Sequence, residues 1–493
     1  MLNKVLVANR GEIAVRVIRA CRELGIGSVA VFSDADRLSP HVMAADEAYR
    51  IGPAPSAQSY LRTDALLDVA RRSGCDAVHP GYGFLAERAS FAAAVEEAGL
   101  IFVGPTSAAI AAMGDKTEAR RRMVAAEVPV VPGTTEPLPD AAAAAAAAAD
   151  FGYPVLLKAA AGGGGKGMRV VREEGNIARA LEAAVHEAEN AFGDGTVYLE
   201  KYLDHPRHVE IQILADDAGT VLYLGERECS IQRRHQKMVE EAPSPAVGPE
   251  LRRRMGEAAV AAAAAVGYRN AGTIEFLLQD GAYYFLEMNT RIQVEHPVTE
   301  LVTGLDLVQW QLRIAGGEHL DLAQEDVIIQ GHALECRITS EDAANGFLPS
   351  TGRIHGVRLP GGPGVRWDGA IADGVDISLY YDPLLGKLIT HGPDRASAVA
   401  RMTRALHELS VRGVETSIPF HRRLMAEPDF RAGELDIRFL DRHPDLLDGG
   451  VAEDTLEAAA VVAALLEEER RGRRAVARIE GSVSSNWRDR GWG

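Results

Sequence analysis

Five polar residues that could do chemistry recur at every second position near the middle of the chain. They are Glu287, Asn289, Arg291, Gln293 and Glu295. Successive side chains of an extended strand point to opposite faces, so the spacing predicts one strand over 287–295 with all five groups on one face. An ordinary half-solvated strand is the alternative, but such a strand seldom combines carboxylate, amide and guanidinium groups without Lys, Ser or Thr. At roughly 3.3 Å per residue, the row could reach from a metal ion to a second ligand.

A further carboxylate precedes this row. Glu275 lies in an apolar run before Asp280-Gly281 and Glu287 in the run after it, and Asp-Gly between two such runs predicts a hairpin. A two-residue turn would put the two carboxylates on opposite faces, whereas a three-residue turn with a glycine bulge aligns them. We predict the bulged turn, because Glu275, Glu287 and Asn289 together offer the hard oxygen ligands of Mg²⁺ bridging ATP phosphates.

A glycine-rich segment lies upstream. The apolar run 154–158 ends in Lys158 and is followed by glycines at 162–165, by Lys166, and by the β-branched run 168–171. Consecutive glycines let backbone N–H groups approach phosphate oxygens, and the lysines add positive charge. The glycines also satisfy G-x-G-x-x-G, but that dinucleotide fingerprint requires a helix directly afterwards. We therefore predict a hairpin whose tip folds over nucleotide phosphates; a flexible surface loop is the alternative.

The elements that must position these groups fall into blocks. The first 110 residues alternate strand and helix, with a helix over Gly11 to Leu24, which predicts a parallel sheet. Residues 209–295 are rich in strand patterns, which favours an antiparallel or mixed sheet. Residues 332–446 form a third block of strands and Gly/Pro turns, and a charged helical run covers Leu456 to Arg478. The alanine run Ala141 to Ala149 predicts a surface helix.

Composition limits the possible partners. The 493 residues include 53 Lys+Arg and 70 Asp+Glu, a net charge of −17, which argues against nucleic acid or an anionic membrane as the main partner. No apolar run approaches the roughly 20 residues of a membrane span. Four widely spaced cysteines predict neither a disulfide scaffold nor a zinc cluster. We expect a cytoplasmic protein of about three domains.

In combination these segments resemble the biotin carboxylase family of ATP-grasp enzymes, over residues 1–446. The resemblance rests on Leu-Val-Ala-Asn-Arg-Gly-Glu-Ile-Ala at 6–14, His-Pro-Gly-Tyr-Gly-Phe-Leu-Ala-Glu at 79–87, the glycine loop, and 287–300. Carbamoyl-phosphate synthetases share the glycine loop and a Glu-x-Asn-x-Arg element. They lack the Arg-Ile-Gln-Val-Glu-His-Pro-Val-Thr-Glu sequence found here at 291–300.

The resemblance implies a fold class and a domain order. The fold is α/β and α+β, with a Rossmann-like parallel sheet in an N-terminal domain over 1–115. An ATP-grasp domain follows over 116–331, with a glycine-rich lid at about 131–203. A C-terminal mixed β domain covers 332–446, and a helical connector with a tail covers 447–493.

The resemblance also implies a reaction and its cofactors. ATP phosphorylates bicarbonate to carboxyphosphate, and the CO₂ derived from it is captured by N1′ of biotin on a carrier protein. This is the first half-reaction of an acyl-CoA carboxylase, and it requires ATP with Mg²⁺ or Mn²⁺.

Site roles follow from the resemblance by motif. The residues expected to hold ATP phosphates are Lys116, Lys158, Gly164 and Gly165; those expected around the adenine are Glu200, Lys201, Leu203, His208, Gln232 and His235. The metal ligands are again Glu275, Glu287 and Asn289. The bicarbonate pocket is expected to contain Lys237, Arg291, Gln293 and Val294. Glu295 would act as base, and Arg337 would steady the biotin enolate, so the catalytic set is Lys237, Arg291, Glu295 and Arg337.

Several of these positions have structural alternatives. His208 and His235 could be hydrogen-bonded structural histidines, and Lys116 could cap the start of a helix. Arg337 could pair with a nearby glutamate such as Glu335.

The sequence also bears on the partners of the protein and on two competing functions. The chain has no Met-Lys-Met segment, so biotin is expected on another polypeptide, a biotin carboxyl carrier protein or domain. We also expect a homodimer and a carboxyltransferase subunit. Two alternatives stay open: a carbamoyl-phosphate-type ligase that is indifferent to biotin, and a non-catalytic scaffold that binds nucleotide.

Overall fold

The computed structural model describes residues 2–134, 136–159, 168–447 and 453–476. Contacts divide the chain into two compact units, Met1–Leu447 and Asp448–Gly493. Within the described residues, no helix combines the length and the apolar character needed to cross a bilayer. The four cysteines are buried and form no disulfide, as predicted.

The N-terminal block contains the predicted parallel sheet. Its strand order is β3-β2-β1-β4-β5, and every neighbouring pair is parallel. Helix α1 turns Ile13, Val17 and Cys21 into the core beneath the sheet. The elements are β1 (Lys4–Val7), α1 (Gly11–Glu23), β2 (Gly27–Ser33), α2 (Pro40–Ala44), β3 (Glu47–Gly52), α3 (Thr63–Ser73), β4 (Ala77–His79), α4 (Ala89–Glu97), β5 (Ile101–Phe102) and α5 (Ser107–Gly114).

A small three-stranded sheet follows, in the order β7-β6-β8. β6 and β7 pair antiparallel, so the arms of the predicted glycine hairpin are confirmed, whereas its tip at 160–167 lies outside the described residues. The alanine run is helical, and it buries Ala144 and Ala148 in the core of this sheet. The elements are α6 (Lys116–Ala125), α7 (Ala141–Phe151), β6 (Val155–Ala159), β7 (Met168–Val171), α8 (Ile177–Phe192) and β8 (Val197–Lys201).

The largest sheet has eight antiparallel strands in the order β13-β12-β9-β10-β11-β14-β21-β19. It joins strands from the second and third sequence blocks into one surface. Its first part and the helices beside it are β9 (Arg207–Ala215), β10 (Val221–Arg233), β11 (Gln236–Ala242), α9 (Pro249–Ala264), β12 (Asn270–Gln279), β13 (Ala282–Asn289), α10 (His296–Thr303) and α11 (Leu307–Ala315).

The third block contributes the rest of that sheet, several two-residue and three-residue strands, and four helices. Its elements are β14 (His332–Thr339), β15 (Glu341–Asp342), β16 (Leu348–Pro349), β17 (Gly352–Arg353), β18 (Gly356–Arg358), β19 (Val365–Gly369), β20 (Asp376–Ile377), β21 (Leu384–Gly392), α12 (Arg395–Glu408), β22 (Ser410–Arg412), α13 (Ile418–Ala426), α14 (Pro428–Ala432) and α15 (Phe439–Arg442). In the second unit, α16 (Glu453–Val476) is the predicted charged helix.

The turn between β12 and β13 differs from the prediction. Asp280 and Gly281 have φ of +52° and +77°, as in a two-residue type I′ turn, so the three-residue turn is wrong. Glu275 nevertheless pairs with Glu287, as predicted, because the irregularity lies within the strands and leaves Leu286 as the extra residue. A bulge restores the register that the turn alone would have broken.

The predicted strand over 287–295 is also shorter than expected. β13 ends at Asn289, and residues 290–295 form an irregular segment that leads into α10. β13 is an edge strand with only one ladder, so leaving the sheet there costs few backbone hydrogen bonds. Ile292 then becomes fully buried in the core that includes α1 and α11.

The turn yields a stability prediction. Gly281→Ala should lower the free energy of unfolding by about 1–2 kcal/mol, because an added Cβ strains a left-handed residue although nothing lies within 4 Å of it. Chemical denaturation monitored by circular dichroism measures the change. Gly361→Ala is the matched control, since that glycine is equally open and has no positive φ. Equal effects of the two substitutions would contradict the strain argument.

Candidate active site

A row of charged residues crosses four strands of the large sheet. Glu287 pairs across the strands with Glu275, Glu275 with Glu210, and Glu210 with Arg227. Directly paired residues of antiparallel strands share a face and lie about 5 Å apart. Three carboxylates in a row repel one another, so cations must hold them in place.

Lys237 of β11 supplies the central cation. Its Nζ donates to Glu210 Oε2 at 2.6 Å, to Glu275 Oε1 at 2.8 Å and to Glu295 Oε1 at 2.7 Å. Burial opposes the charge of the ammonium, but the three carboxylates outweigh it and raise the pKa of Lys237 well above its usual value. Lys237 is therefore charged, and all three donors of its ammonium are in use.

The irregular segment 290–295 brings the remaining polar groups of the row to Glu275. Gln293 Nε2 and Asn289 Nδ2 donate to Glu275 Oε1 at 3.1 and 2.8 Å. Arg291 donates to Gln293 Oε1 at 2.8 Å and to Asn289 Oδ1 at 3.1 Å, and it forms an ion pair with Glu87 at 3.1 Å. The predicted groups thus meet, although Arg291 and Gln293 lie on a loop and Asn289 lies at the end of the strand.

Glu295 lies fully buried between two cations. Arg337 of β14 donates from Nη2 to Glu295 Oε2 at 2.9 Å and from Nε to Glu240 Oε1 at 2.6 Å. Burial would raise the pKa of Glu295, but Lys237 and Arg337 outweigh it and hold that pKa well below its usual range. Glu295 is therefore ionised at neutral pH. The partners of Arg337 are Glu240 and Glu295, so hydrogen bonding to Glu335 is not what holds it.

Histidine and amide groups complete the site on the side of β9. His208 Nε2 lies 2.8 Å from Glu275 Oε2, and His208 Nδ1 lies 2.8 Å from Nε2 of Gln232. Burial lowers the pKa of His208, but the charge of Glu275, its hydrogen bond to the ring and the charge of Glu210 together outweigh burial, so the net shift of this pKa is upward. His235 lies exposed at the tip of the β10–β11 hairpin, with φ +65°.

The donor set near Glu287 fits a hard divalent cation. Glu275, Glu287 and Asn289 offer carboxylate and amide oxygens from two paired strands. The carboxylate of Glu287 is exposed, and no hydrogen bond within the described part of the chain uses it. Desolvation by the surrounding protein, and then the charge of Glu275, raise the pKa of Glu287. An added cation would relieve the repulsion between the two carboxylates.

A second polar group lies in the three-stranded sheet. Buried Glu200 of β8 accepts from Lys158 of β6 at 2.5 Å and from Arg120 at 3.2 Å. Lys201 Nζ donates to the carbonyl of Gly152 at 2.8 Å, and Leu203 is half-buried just after β8. The side chains of Glu200 and Lys201 are thus engaged within the protein.

Lys116 and the glycine loop are the remaining residues that the resemblance assigns to the ATP phosphates. Lys116 is the exposed first residue of α6, and the side chain that caps this helix belongs to Asp115, so the capping alternative does not apply to Lys116. Lys116 is near enough to Glu287 to lower the pKa of that carboxyl. The predicted phosphate ligands Gly164 and Gly165 lie outside the described residues.

Comparison with known families covers most of the chain. Residues 1–110 match "Biotin carboxylase, N-terminal domain", 115–323 match "Carbamoyl-phosphate synthase L chain, ATP binding domain", and 335–442 match "Biotin carboxylase C-terminal domain". Biotin carboxylase 1 of Bacillus subtilis is 53% identical over 445 residues, which are 90% of this chain and 99% of that protein. The chain belongs to the biotin carboxylase family.

Two further relatives of this biotin carboxylase family member are informative. One pyruvate carboxylase subunit, from Methanothermobacter thermautotrophicus, is 53% identical over 444 residues, 90% of each chain. The biotin carboxylase domain dimer of Hydrogenobacter thermophilus 2-oxoglutarate carboxylase, solved with MgADP, ADP and bicarbonate, is 49% identical. It superimposes with a TM-score of 0.85 and covers 92% of this chain and 100% of that one.

The structure adds charged residues that sequence reasoning missed. Glu210, Arg227 and Glu240 are fully buried: Glu210 binds Lys237, Glu240 binds Arg337, and Arg227 binds Glu210 in turn. Lys387 is fully buried as well and binds the carbonyl of Val294. One pattern could have revealed Glu210, because His208, Glu210 and Gln212 alternate with apolar residues along β9. Charged residues inside a long strand, as at Arg227, likewise require partners when they are buried.

The geometry near Glu287 generates a metal prediction. Glu287→Gln should reduce Mg²⁺-dependent ATP turnover by at least about 100-fold, because an amide oxygen is neutral and a divalent cation needs the charge. Titrating turnover against Mg²⁺ and Mn²⁺ measures the effect. Glu318→Gln, which neutralises an exposed carboxylate elsewhere, should leave turnover unchanged. Near-normal activity of the Glu287 variant would remove this residue from the metal site.

Proposed function

We propose that this chain carboxylates biotin in an ATP- and bicarbonate-dependent reaction, with biotin presented by a carrier protein. One observation supports this most directly: an ionised, fully buried carboxylate, Glu295, is held between Lys237 and Arg337. The carboxylate can act as a base, and the two cations can stabilise negative charge at the same point. The proposed reaction requires both, because it deprotonates bicarbonate and later stabilises the negative charge on biotin.

In the proposed first step, bicarbonate binds among Lys237, Arg291, Gln293 and Val294, where positive charge and amide donors meet. Glu295 accepts its proton, and an oxygen of bicarbonate attacks the γ-phosphorus of ATP, which releases ADP and forms carboxyphosphate. An anion that shares Lys237 and Arg337 weakens their hold on Glu295 and raises its basicity. Glu275, Glu287 and Asn289 would hold Mg²⁺ or Mn²⁺, which neutralises charge on the phosphoryl groups.

In the proposed second step, carboxyphosphate breaks its C–O bond to give CO₂ and phosphate. The phosphate takes the proton from N1′ of biotin, and the resulting nitrogen attacks CO₂ to give carboxybiotin. Negative charge develops on the ureido oxygen of biotin before attack, and Arg337 is the guanidinium that we assign to it. Its fixed orientation between Glu240 and Glu295 costs no reorganisation at that moment.

The nucleotide would lie between the two polar groups of the site. We assign its phosphates to Lys116, Lys158, Gly164 and Gly165. We assign its base to residues near the end of β8, at the start of β9 and at the end of β10 with the turn that follows it: Glu200, Lys201, Leu203, His208, Gln232 and His235. The domain limits proposed are 1–115, 116–331 and 332–446, followed by a connector over 447–493.

Partners follow from the reaction. Carboxybiotin must pass its carboxyl group to an acceptor, so we propose a biotin carboxyl carrier protein or domain and a carboxyltransferase subunit. A homodimer is proposed because the solved Hydrogenobacter relative is a dimer.

Biotin dependence gives the decisive test of this function. Bicarbonate-dependent ATP hydrolysis should rise when free biotin, or a biotinylated carrier domain, is added to the wild type. Arg337→Ala should reduce this biotin-dependent turnover by about 10²- to 10³-fold, the effect of removing a donor aimed at a developing oxyanion. Coupled measurement of ADP release gives both rates.

Two controls make the result specific. Arg353→Ala removes an exposed guanidinium from the same sequence block, 332–446. It should change neither the rate of ATP hydrolysis without biotin nor the rate with biotin. Turnover that depends on bicarbonate but is indifferent to biotin in the wild type would instead indicate the carbamoyl-phosphate-type ligase. Absence of turnover with intact nucleotide binding would indicate a scaffold.

A further inference from the structure

Lys387 of β21 is a fully buried lysine that joins three segments of the chain. Its Nζ donates to the carbonyl oxygen of Val294 at 2.7 Å and forms an ion pair with Glu12 Oε1 of α1 at 3.2 Å. The same oxygen of Glu12 accepts a hydrogen bond from the hydroxyl of Tyr82. A buried ammonium is costly unless it is paired, so this lysine needs a structural or functional reason.

The preceding carbonyl is held as well. His296 Nδ1 lies 2.8 Å from the carbonyl oxygen of Gln293, and His296 is fully buried. Burial lowers the pKa of His296 well below its usual value, so the ring is neutral. A carbonyl oxygen can only accept, so Nδ1 of His296 bears the proton and donates it. Two consecutive carbonyls, at Gln293 and Val294, are therefore held by side chains.

Holding a carbonyl also aims the next N–H group. The peptide bond is planar and trans, so the C=O of one residue and the N–H of the next point in opposite directions. His296 thereby fixes the direction of the Val294 N–H, and Lys387 fixes that of the Glu295 N–H. The side chain of Val294 is apolar and its carbonyl is taken, so the N–H is the polar group that this residue can offer to an anion.

We propose that Lys387, anchored by Glu12, is a positioning residue for bicarbonate: it fixes the peptide between Val294 and Glu295 so that the N–H group and the carboxylate of Glu295 keep the geometry of the anion pocket. The proposal rests on the proposed function of that pocket. Lys387 itself stays behind the segment, bonded to its carbonyl side, and acts through it.

The position of Lys387 in the sheet supports this role. Lys387 pairs across the strands with Arg337, so β14 and β21 present one cation to the carboxylate of Glu295 and the other to the backbone before it. Glu12 brings in α1 of the N-terminal block, and Tyr82 brings in the loop after β4. One ion pair thus ties the N-terminal block and the large sheet to the irregular segment at the point where it enters the site.

The test separates positioning from stability. Lys387→Met removes the donor but strands Glu12 as a buried, unpaired carboxylate, and it should lower the thermal midpoint. Lys387→Met/Glu12→Gln removes one positive and one negative charge together, and it should recover most of that midpoint. The double variant should still show a KM for bicarbonate raised by about tenfold or more, because a hydrogen bond from a charged donor stays absent. Its KM for ATP should stay near the wild-type value.

Thr390→Val is the matched control, because Thr390 is a buried polar residue of the same strand whose hydroxyl bonds to Ala398. It should reduce stability without changing the KM for bicarbonate. A double variant that recovers both the midpoint and the wild-type KM for bicarbonate would overturn the positioning role, as would an equal rise in both KM values. A wild type without bicarbonate-dependent turnover would contradict the proposed function itself, and this arm is measured first.

Discussion

The contact of one ammonium with three buried carboxylates holds the whole site together. Lys237 donates to Glu210, Glu275 and Glu295 within 2.6–2.8 Å. One positive charge cannot balance three negative ones, so each carboxylate also contacts a second basic side chain: Arg227, His208 and Arg337, respectively. Removing one member of such a buried set leaves uncompensated charge, at a cost of about 3–5 kcal/mol. The positions of these strands and of the loop that contains Glu295 are thus mutually dependent.

The continuity of the eight-stranded sheet makes this arrangement possible. Lys237 and Arg337 lie on the neighbouring strands β11 and β14, which come from different sequence blocks, and Lys387 lies on the next strand. A cation from each block therefore approaches Glu295 through backbone pairing and not through a mobile domain contact. A net charge of −17 is compatible with an anion pocket, because the site contains its own cations at Lys237, Arg291 and Arg337.

Sequence patterns predicted the side chains of the site better than their backbone. The parallel sheet and the hairpin arms β6 and β7 were predictable, since each depends on local periodicity. The Glu275–Glu287 pair was predicted from a three-residue turn, but a bulge at Leu286 forms it instead. The end of β13 was not predictable, because the burial of Ile292 against α1 and α11 is a tertiary effect. Alternation still selected polar residues that meet in space, since apolar Ile292 must face the core whether its segment is strand or loop. Glu240 and Lys387 escaped because their partners are about 100 residues away.

Two carboxylates hold the guanidinium of Arg337, yet part of it can still donate hydrogen bonds to a ligand. A guanidinium has five N–H donors in a planar fork. Nε and Nη2 of Arg337 are used by Glu240 and Glu295, and in the described part of the chain no hydrogen bond uses Nη1. The two carboxylates thus fix the plane of the fork and leave one edge for an incoming oxygen. Their charges also raise the pKa of Arg337, so the half-buried guanidinium stays positively charged, as the role proposed for it beside a developing oxyanion requires.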